Sequence, residues 1–208
     1  MALLPFLLAA ILLAITPGPG IAYVVARTVA GGRAEGLASC IGTAIGGMVH
    51  VLAAALGLSV LIAQSALAFN VLKYVGAAYL IYLGIRMLMR SRDEAPPNAA
   101  ANVRPQGARR ALGEGILVEV LNVKTAIFFL AFLPQFVAPS APLVPQLVLL
   151  GSICVVLNTV VDVIAVFAAA SLLKSSAARA ARARVLTRIS GATMLGLGAY
   201  LALARREA

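Results

Sequence analysis

The chain has one histidine, two cysteines and only seven acidic residues in its 208. A protein zinc site draws three or four ligands from His, Cys and carboxylates, and no such cluster appears in the sequence, so neither a metal nor a cofactor is expected. No Cys-x-x-Cys is present. Cys40 and Cys154 both lie in apolar segments, where a thiol behaves as a small hydrophobe. Paired aspartates are missing too, which speaks against an intramembrane protease and leaves no sign of an enzyme. Charged residues are 12% of the chain and aromatics 6%, whereas a soluble domain carries about 25% charge. Basic patches interleaved with aromatic residues, the footprint of a nucleic-acid binder, do not occur.

The remaining sequence is apolar: 62% of residues are hydrophobic and the mean hydropathy is +1.01. The long runs do not alternate at period two, so they read as helices rather than barrel strands, and the class is an all-α integral membrane protein. Six transmembrane helices are expected, at about 2–25, 36–63, 68–89, 113–137, 143–172 and 186–204. No basic residue precedes Leu3 and no small-residue cleavage site follows, so the first run is kept as a span rather than a signal peptide.

The net charge of +10 is unevenly placed. One set of loops holds Arg27, Arg33, the arginines from Arg86 to Arg110, and those from Lys174 to Arg188. The other side has Lys73, Arg205 and Arg206. The positive-inside rule puts the first set in the cytoplasm and both termini outside. Lys73 and Tyr74 suit an interface, where a cationic stem snorkels and an aromatic ring anchors.

Three spans on each side of a linker suggest duplication. Lys73-Tyr-Val-Gly76 aligns with Arg188-Ile-Ser-Gly191, and the same offset places Leu80 on Leu195 and Arg90 on Arg205. An odd number of spans per copy makes the copies enter the membrane from opposite sides, giving two inverted three-helix repeats. The expected organisation is a first repeat over 1–90, a cytoplasmic linker over 91–112, rich in Ala, Pro and Asn and expected to be disordered, and a second repeat over 113–208.

Two stretches interrupt the apolar pattern. In the first span Thr16-Pro17-Gly18-Pro19-Gly20 removes two backbone donors and loosens the helix, which predicts a break or sharp kink. In the fourth, Glu119, Asn122, Lys124 and Pro134 lie within apolar sequence. An ionised side chain at that depth costs about 2.5–3.5 kcal/mol unless it faces protein or water. With a helical rise of about 1.5 Å per residue, Pro17 and Asn122 both fall roughly 12–14 Å from the cytoplasmic ends of their spans. Broken helices meeting at mid-depth mark the substrate site of repeat-built secondary transporters. The second span has Gly42-xxx-Gly46, a spacing for close helix approach within the chain or across a homodimer. Its His50 is read either as a hydrogen-bonded packing residue or as a proton carrier.

At these residues the sequence resembles the LysE/RhtB family of small amino-acid exporters. The resemblance is carried by the Thr-Pro-Gly-Pro at Thr16, by Lys-x-x-Gly-x-x-Tyr-Leu-x-x-Leu-Gly from Lys73 to Gly84, and by the long pattern from Leu121 to Phe136. The family usually has Asn-Pro-Lys where this chain has Asn122-Val123-Lys124, so a milder break is expected there. The resemblance implies export of amino acids or related small metabolites across a bacterial inner membrane, driven by proton antiport.

For the chemistry, helix ends freed at Pro17, Gly18, Pro19 and Gly20 and around Asn122 offer amides to a substrate carboxylate. Lys124 is read as its countercharge or as a structural ion pair with Glu119 or Asp162. A buried carboxyl suits proton coupling, with Asp162 the first candidate, Glu119 the second, and His50 a further one. The expected partners are a small amino-acid-like substrate, protons and lipid. Two rival classes stay open: a membrane thiol-disulfide carrier using Cys40 and Cys154, and a passive small-solute channel.

Overall fold

The structure is a computed structural model that describes residues 3–89, 104–138, 140–172 and 176–203. Among these residues every regular element is a helix. They are α1 (Leu3–Ile15), α2 (Pro19–Gln64), α3 (Ala66–Met89), α4 (Ala108–Val120), α5 (Val123–Ile127), α6 (Leu143–Leu172) and α7 (Ser176–Leu203). After α5 the chain continues as a π-helical turn over Phe128–Phe132 and a 3₁₀ turn over Leu133–Phe136.

Three helical stretches are long and apolar enough to cross a bilayer: Pro19–Gly57, Leu67–Arg86 and Leu143–Ala169. Ala108–Val120 and Val123–Phe136 reach the same length and apolarity only when taken together, as a pair bent by 46° at the break between them. Leu3–Ile15 and Gly191–Leu203 are apolar but shorter. Outward faces carry bare apolar side chains such as Leu4, Leu56, Leu121 and Ile164, as lipid contact requires. The chain is thus a multi-pass membrane protein.

α2 is not one straight rod. Gly32 has φ 74° and ψ −168°, values that only glycine adopts without strain, and it divides the helix into arms of residues 19–31 and 33–64. A short open loop is expected here from the sequence, but the helix continues to the kink and turns Arg27 and Glu35 inward. They pair at 3.4 Å with side chains only 4% and 5% exposed. Glu35 Oε1 accepts the backbone N–H groups of Gln106 and Gly107, each at 2.7 Å, and Arg27 donates to the Arg104 carbonyl at 3.1 Å. The segment before α4 is therefore fastened, and α4 begins at Ala108, inside the stretch expected to be a disordered linker. The rest of that stretch, residues 91–103, lies outside the described residues.

α2 runs antiparallel to α6 and α3 antiparallel to α7, whereas the second arm of α2 runs parallel to α4. The first arm of α2 lies along α4, with the Tyr23 hydroxyl donating to the Ala111 carbonyl at 3.0 Å. The second arm meets both α4 and α6. A Cβ on Gly42 would strike the Leu112 carbonyl oxygen, and one on Gly46 would lie 2.7 Å from Glu119 Cβ, so the Gly42-xxx-Gly46 spacing serves contact within the chain. On the α6 side, Gly36 faces Val166, Gly47 faces Val155 and Val51 faces Gly151. α3 crosses α7 where Gly84 and Gly191 present backbone to each other.

The core is aromatic. Phe128, Phe132 and Phe136 form a row with ring centroids 4.9 and 5.2 Å apart, flanked by Phe6 and Tyr200. This row anchors the second half of the bent span. Lys73, expected at an interface, is buried, its ammonium 4.6 Å from the Tyr74 ring centroid.

Candidate functional site

Both breaks occur where the sequence places them, and they face each other. α1 stops at Ile15 because Pro17 and Pro19 have no N–H to continue its ladder, and Pro19 then starts α2 at a position where proline is well suited. The amides of Gly20 and Ile21, in the first turn of α2, make no backbone hydrogen bond among the described residues. α4 ends at Val120, and Asn122 restarts the helix as an N-cap, its side-chain oxygen accepting the Lys124 N–H at 3.1 Å. A break bent by 46° therefore forms here without the proline of the Asn-Pro-Lys pattern, with Asn122 capping the restarted helix.

Each broken span supplies the charge that suits the ends of the other. Lys124 Nζ donates to the Thr16 carbonyl at 2.9 Å and the Leu13 carbonyl at 3.3 Å, so an ammonium sits at the negative end of α1. The Glu119 carboxylate lies beside Gly20 at the positive end of α2, where a Cβ would come within 2.6 Å of its Oε2. Glu119 also closes its own break, with Oε1 accepting from the Thr125 hydroxyl at 2.6 Å and Oε2 from Asn122 Nδ2 at 3.1 Å. His50 approaches the Glu119 backbone carbonyl at 2.8 Å. A carbonyl oxygen only accepts, so Nε2 carries the proton. Asp162, on α6, is 7% exposed, and its Oδ2 accepts from the Thr43 hydroxyl at 3.0 Å.

These groups surround one cavity of about 30 Å³, lined by Thr16, Gly18, Gly20, Thr43, Glu119, Asn122, Lys124, Asn158 and Asp162 among others. That is room for roughly two waters, at about 10–15 Å³ each. Of the residues picked out by sequence, Gly18, Gly20, Asn122, Lys124, Glu119 and Asp162 line it directly. Pro17 and Pro19 shape the break beside it, and His50 reaches it through the Glu119 carbonyl. Lys124 bonds to α1 carbonyls, and no ion pair within 4 Å joins it to Glu119 or Asp162. Sequence reading missed Thr43, Thr125, Asn158 and Thr159, whose one signal is a polar side chain inside an apolar span. Cys40 and Cys154 belong to separate hydrophobic clusters, Cys40 with Val24 and Val166 and Cys154 in the main core.

The family model described as LysE type translocator matches residues 11–205. The chain belongs to the LysE type translocator family. It is accordingly a membrane transporter and not an enzyme. The translocator is similar to the homoserine/homoserine lactone efflux protein of Salmonella typhimurium, with 32% identity over 96% of this chain and 95% of the relative. It also resembles an uncharacterized membrane protein of Vibrio cholerae, with 31% identity over 97% of both chains. A leucine efflux protein of Salmonella choleraesuis is 32% identical over 66% of this translocator and 64% of its own length. No solved structure matches.

Proposed function

We propose that the translocator exports small amino acids or related metabolites across the cytoplasmic membrane in exchange for protons. The observation that carries this reading is the meeting of two helix breaks around one polar cavity, with Lys124, Glu119 and Asp162 all on its wall. A zwitterion fits such a wall. Its carboxylate is met by the Gly20 and Ile21 amides and by Lys124, and its ammonium by Asp162.

The antiparallel packing of α2 on α6 and of α3 on α7 supports the six-span inverted repeat, because corresponding spans of inverted copies run in opposite directions. In this reading α1 and residues 19–31 form the first span and α4 with Val123–Phe136 the fourth. The charge bias of the loops supports an outward position for both termini.

Asp162 is the coupling acid. Thr43 occupies one of its oxygens, whereas both oxygens of Glu119 are held by groups that shape the break. Protonation of Asp162 removes the charge that holds the substrate ammonium, so proton and substrate compete for one site. The cavity of about 30 Å³ is too small for an amino acid, so rocking of the packed spans must widen it for transport.

The test is efflux of an amino-acid panel, fed as dipeptides, from cells expressing the chain. Homoserine and leucine belong in the panel because relatives are named for their export. Faster efflux than from control cells, abolished by a protonophore, is the expected result. Unchanged efflux for every amino acid would overturn the reading, and efflux indifferent to the protonophore would favour a channel.

A further inference from the structure

The cavity is not uniform along α6. Val155, Asn158, Thr159 and Asp162 all line it, at positions i, i+3, i+4 and i+7 of one helix face. Neighbouring contacts fix their levels. Asp162 lies opposite Thr43, whose methyl is 3.8 Å from where a Cβ on Gly20 would sit, so this level holds the charged groups and the freed amides. Val155 lies opposite Gly47, and one turn further on Gly151 faces Phe129, so that level is apolar. Seven residues of helix separate Val155 from Asp162, about 10 Å at a rise of about 1.5 Å per residue, which leaves room for a short side chain with a contact at each end.

Asn158 stands between the two levels. Its side-chain amide has no hydrogen-bond partner among the described residues. The hydroxyl of neighbouring Thr159 is committed, donating to the Val155 carbonyl at 2.8 Å. The apolar end offers no carboxylate for a basic side chain and no cation for an acidic one. Resting on the exporter reading above, we infer that Asn158 is the specificity-determining residue for the substrate side chain. It selects neutral amino acids that carry a hydrogen-bonding group two or three bonds beyond Cα over apolar isosteres. A site built to bond a hydroxyl rejects the analogue lacking it, because its own polar group is then left unpaired, whereas an apolar wall discriminates by size alone.

Homoserine and norvaline test this directly, since they differ by a hydroxyl in place of a methyl. Export of both from cells expressing the wild-type chain should favour homoserine. Asn158→Leu should shift the homoserine-to-norvaline ratio by about tenfold or more toward norvaline, while Asn158→Ser, which keeps a donor and acceptor, should hold the wild-type preference. The ratio is read within one variant, so it is independent of expression level. Should Asn158→Leu fail to reach the membrane, Asn158→Ala carries the same expectation. An unchanged ratio in these apolar variants, or an equal loss of both fluxes, overturns the inference while leaving the exporter standing. If wild-type cells export neither compound nor any other amino acid, the exporter reading itself falls, and this one with it.

Discussion

Lys124 is the residue on which both the resting structure and the proposed binding step depend. Its ammonium bonds the Thr16 carbonyl at 2.9 Å and, at 3.3 Å, the Leu13 carbonyl that also accepts the Thr16 N–H, and a substrate carboxylate would compete for the same group. Hydrogen bonds to charged groups are worth about 1.5–3 kcal/mol, so Lys124→Met should lower export roughly 10- to 100-fold, measured as initial efflux rate at matched membrane abundance. Gly18→Ala is the subtler variant. Its Cβ would stand 3.0 Å from Lys124 Nζ, and the flexible lysine can yield, so folding should be little affected while transport falls. Asp162→Asn tests coupling. An amide cannot ionise, so efflux driven by an imposed pH gradient should lose its dependence on that gradient, and the wild-type response in this variant would remove Asp162 from the coupling step. The sequence marked Lys124 and Asp162 because charge in an apolar span is rare. It left Lys124 open between a substrate countercharge and an ion pair with Glu119 or Asp162, and the partners it meets are backbone carbonyls, which no residue pattern encodes.

Among the elements, the glycine-lined seam between the second arm of α2 and α4 sets how closely that arm approaches the broken fourth span. Gly42→Ala would drive a methyl into the Leu112 carbonyl oxygen, and backbone at that point cannot step aside as a side chain would. Overpacking of this kind costs about 1–3 kcal/mol, to be read as a lower unfolding temperature in detergent. Gly57, with no atom within 4 Å of a Cβ, is the control, and Gly57→Ala should be neutral or stabilising by about 0.5–1 kcal/mol. The Arg27–Glu35 pair at the α2 kink calls for a different comparison. Glu35→Gln leaves a buried guanidinium uncompensated, a loss of about 3–5 kcal/mol, and replacing both residues by Met should restore part of the lost stability. The helical class and the break at Pro17 to Gly20 were legible from apolar length and proline placement, and the break at Asn122 from polar residues inside an apolar span. The burial of Arg27 and Glu35 was not, because it depends on the positive φ at Gly32, and a Gly-Gly-Arg sequence reads equally well as an exposed loop.

At the scale of the whole molecule, the six-span reading and its orientation make one prediction that composition alone cannot. Residue 104 precedes α4 and residue 140 precedes α6, and in the six-span reading the bent fourth span separates them and puts them on opposite faces of the membrane. Both positions are exposed. Single cysteines at Arg104 and Ser140, placed in a chain where Cys40 and Cys154 are Ser, should label differently with a membrane-impermeant thiol reagent added to intact cells. The cysteine at 140 should react and the one at 104 only after the cells are opened. The reverse pattern would turn the molecule over while keeping its span count, and labelling of both from outside would break the fourth span as a crossing. The same background answers a second question, because the two native cysteines sit in different clusters and take no part in the cavity. Export by the cysteine-free chain should equal that of the wild type. That result would separate a translocator, in which thiols only fill space, from a redox carrier, in which their loss is fatal.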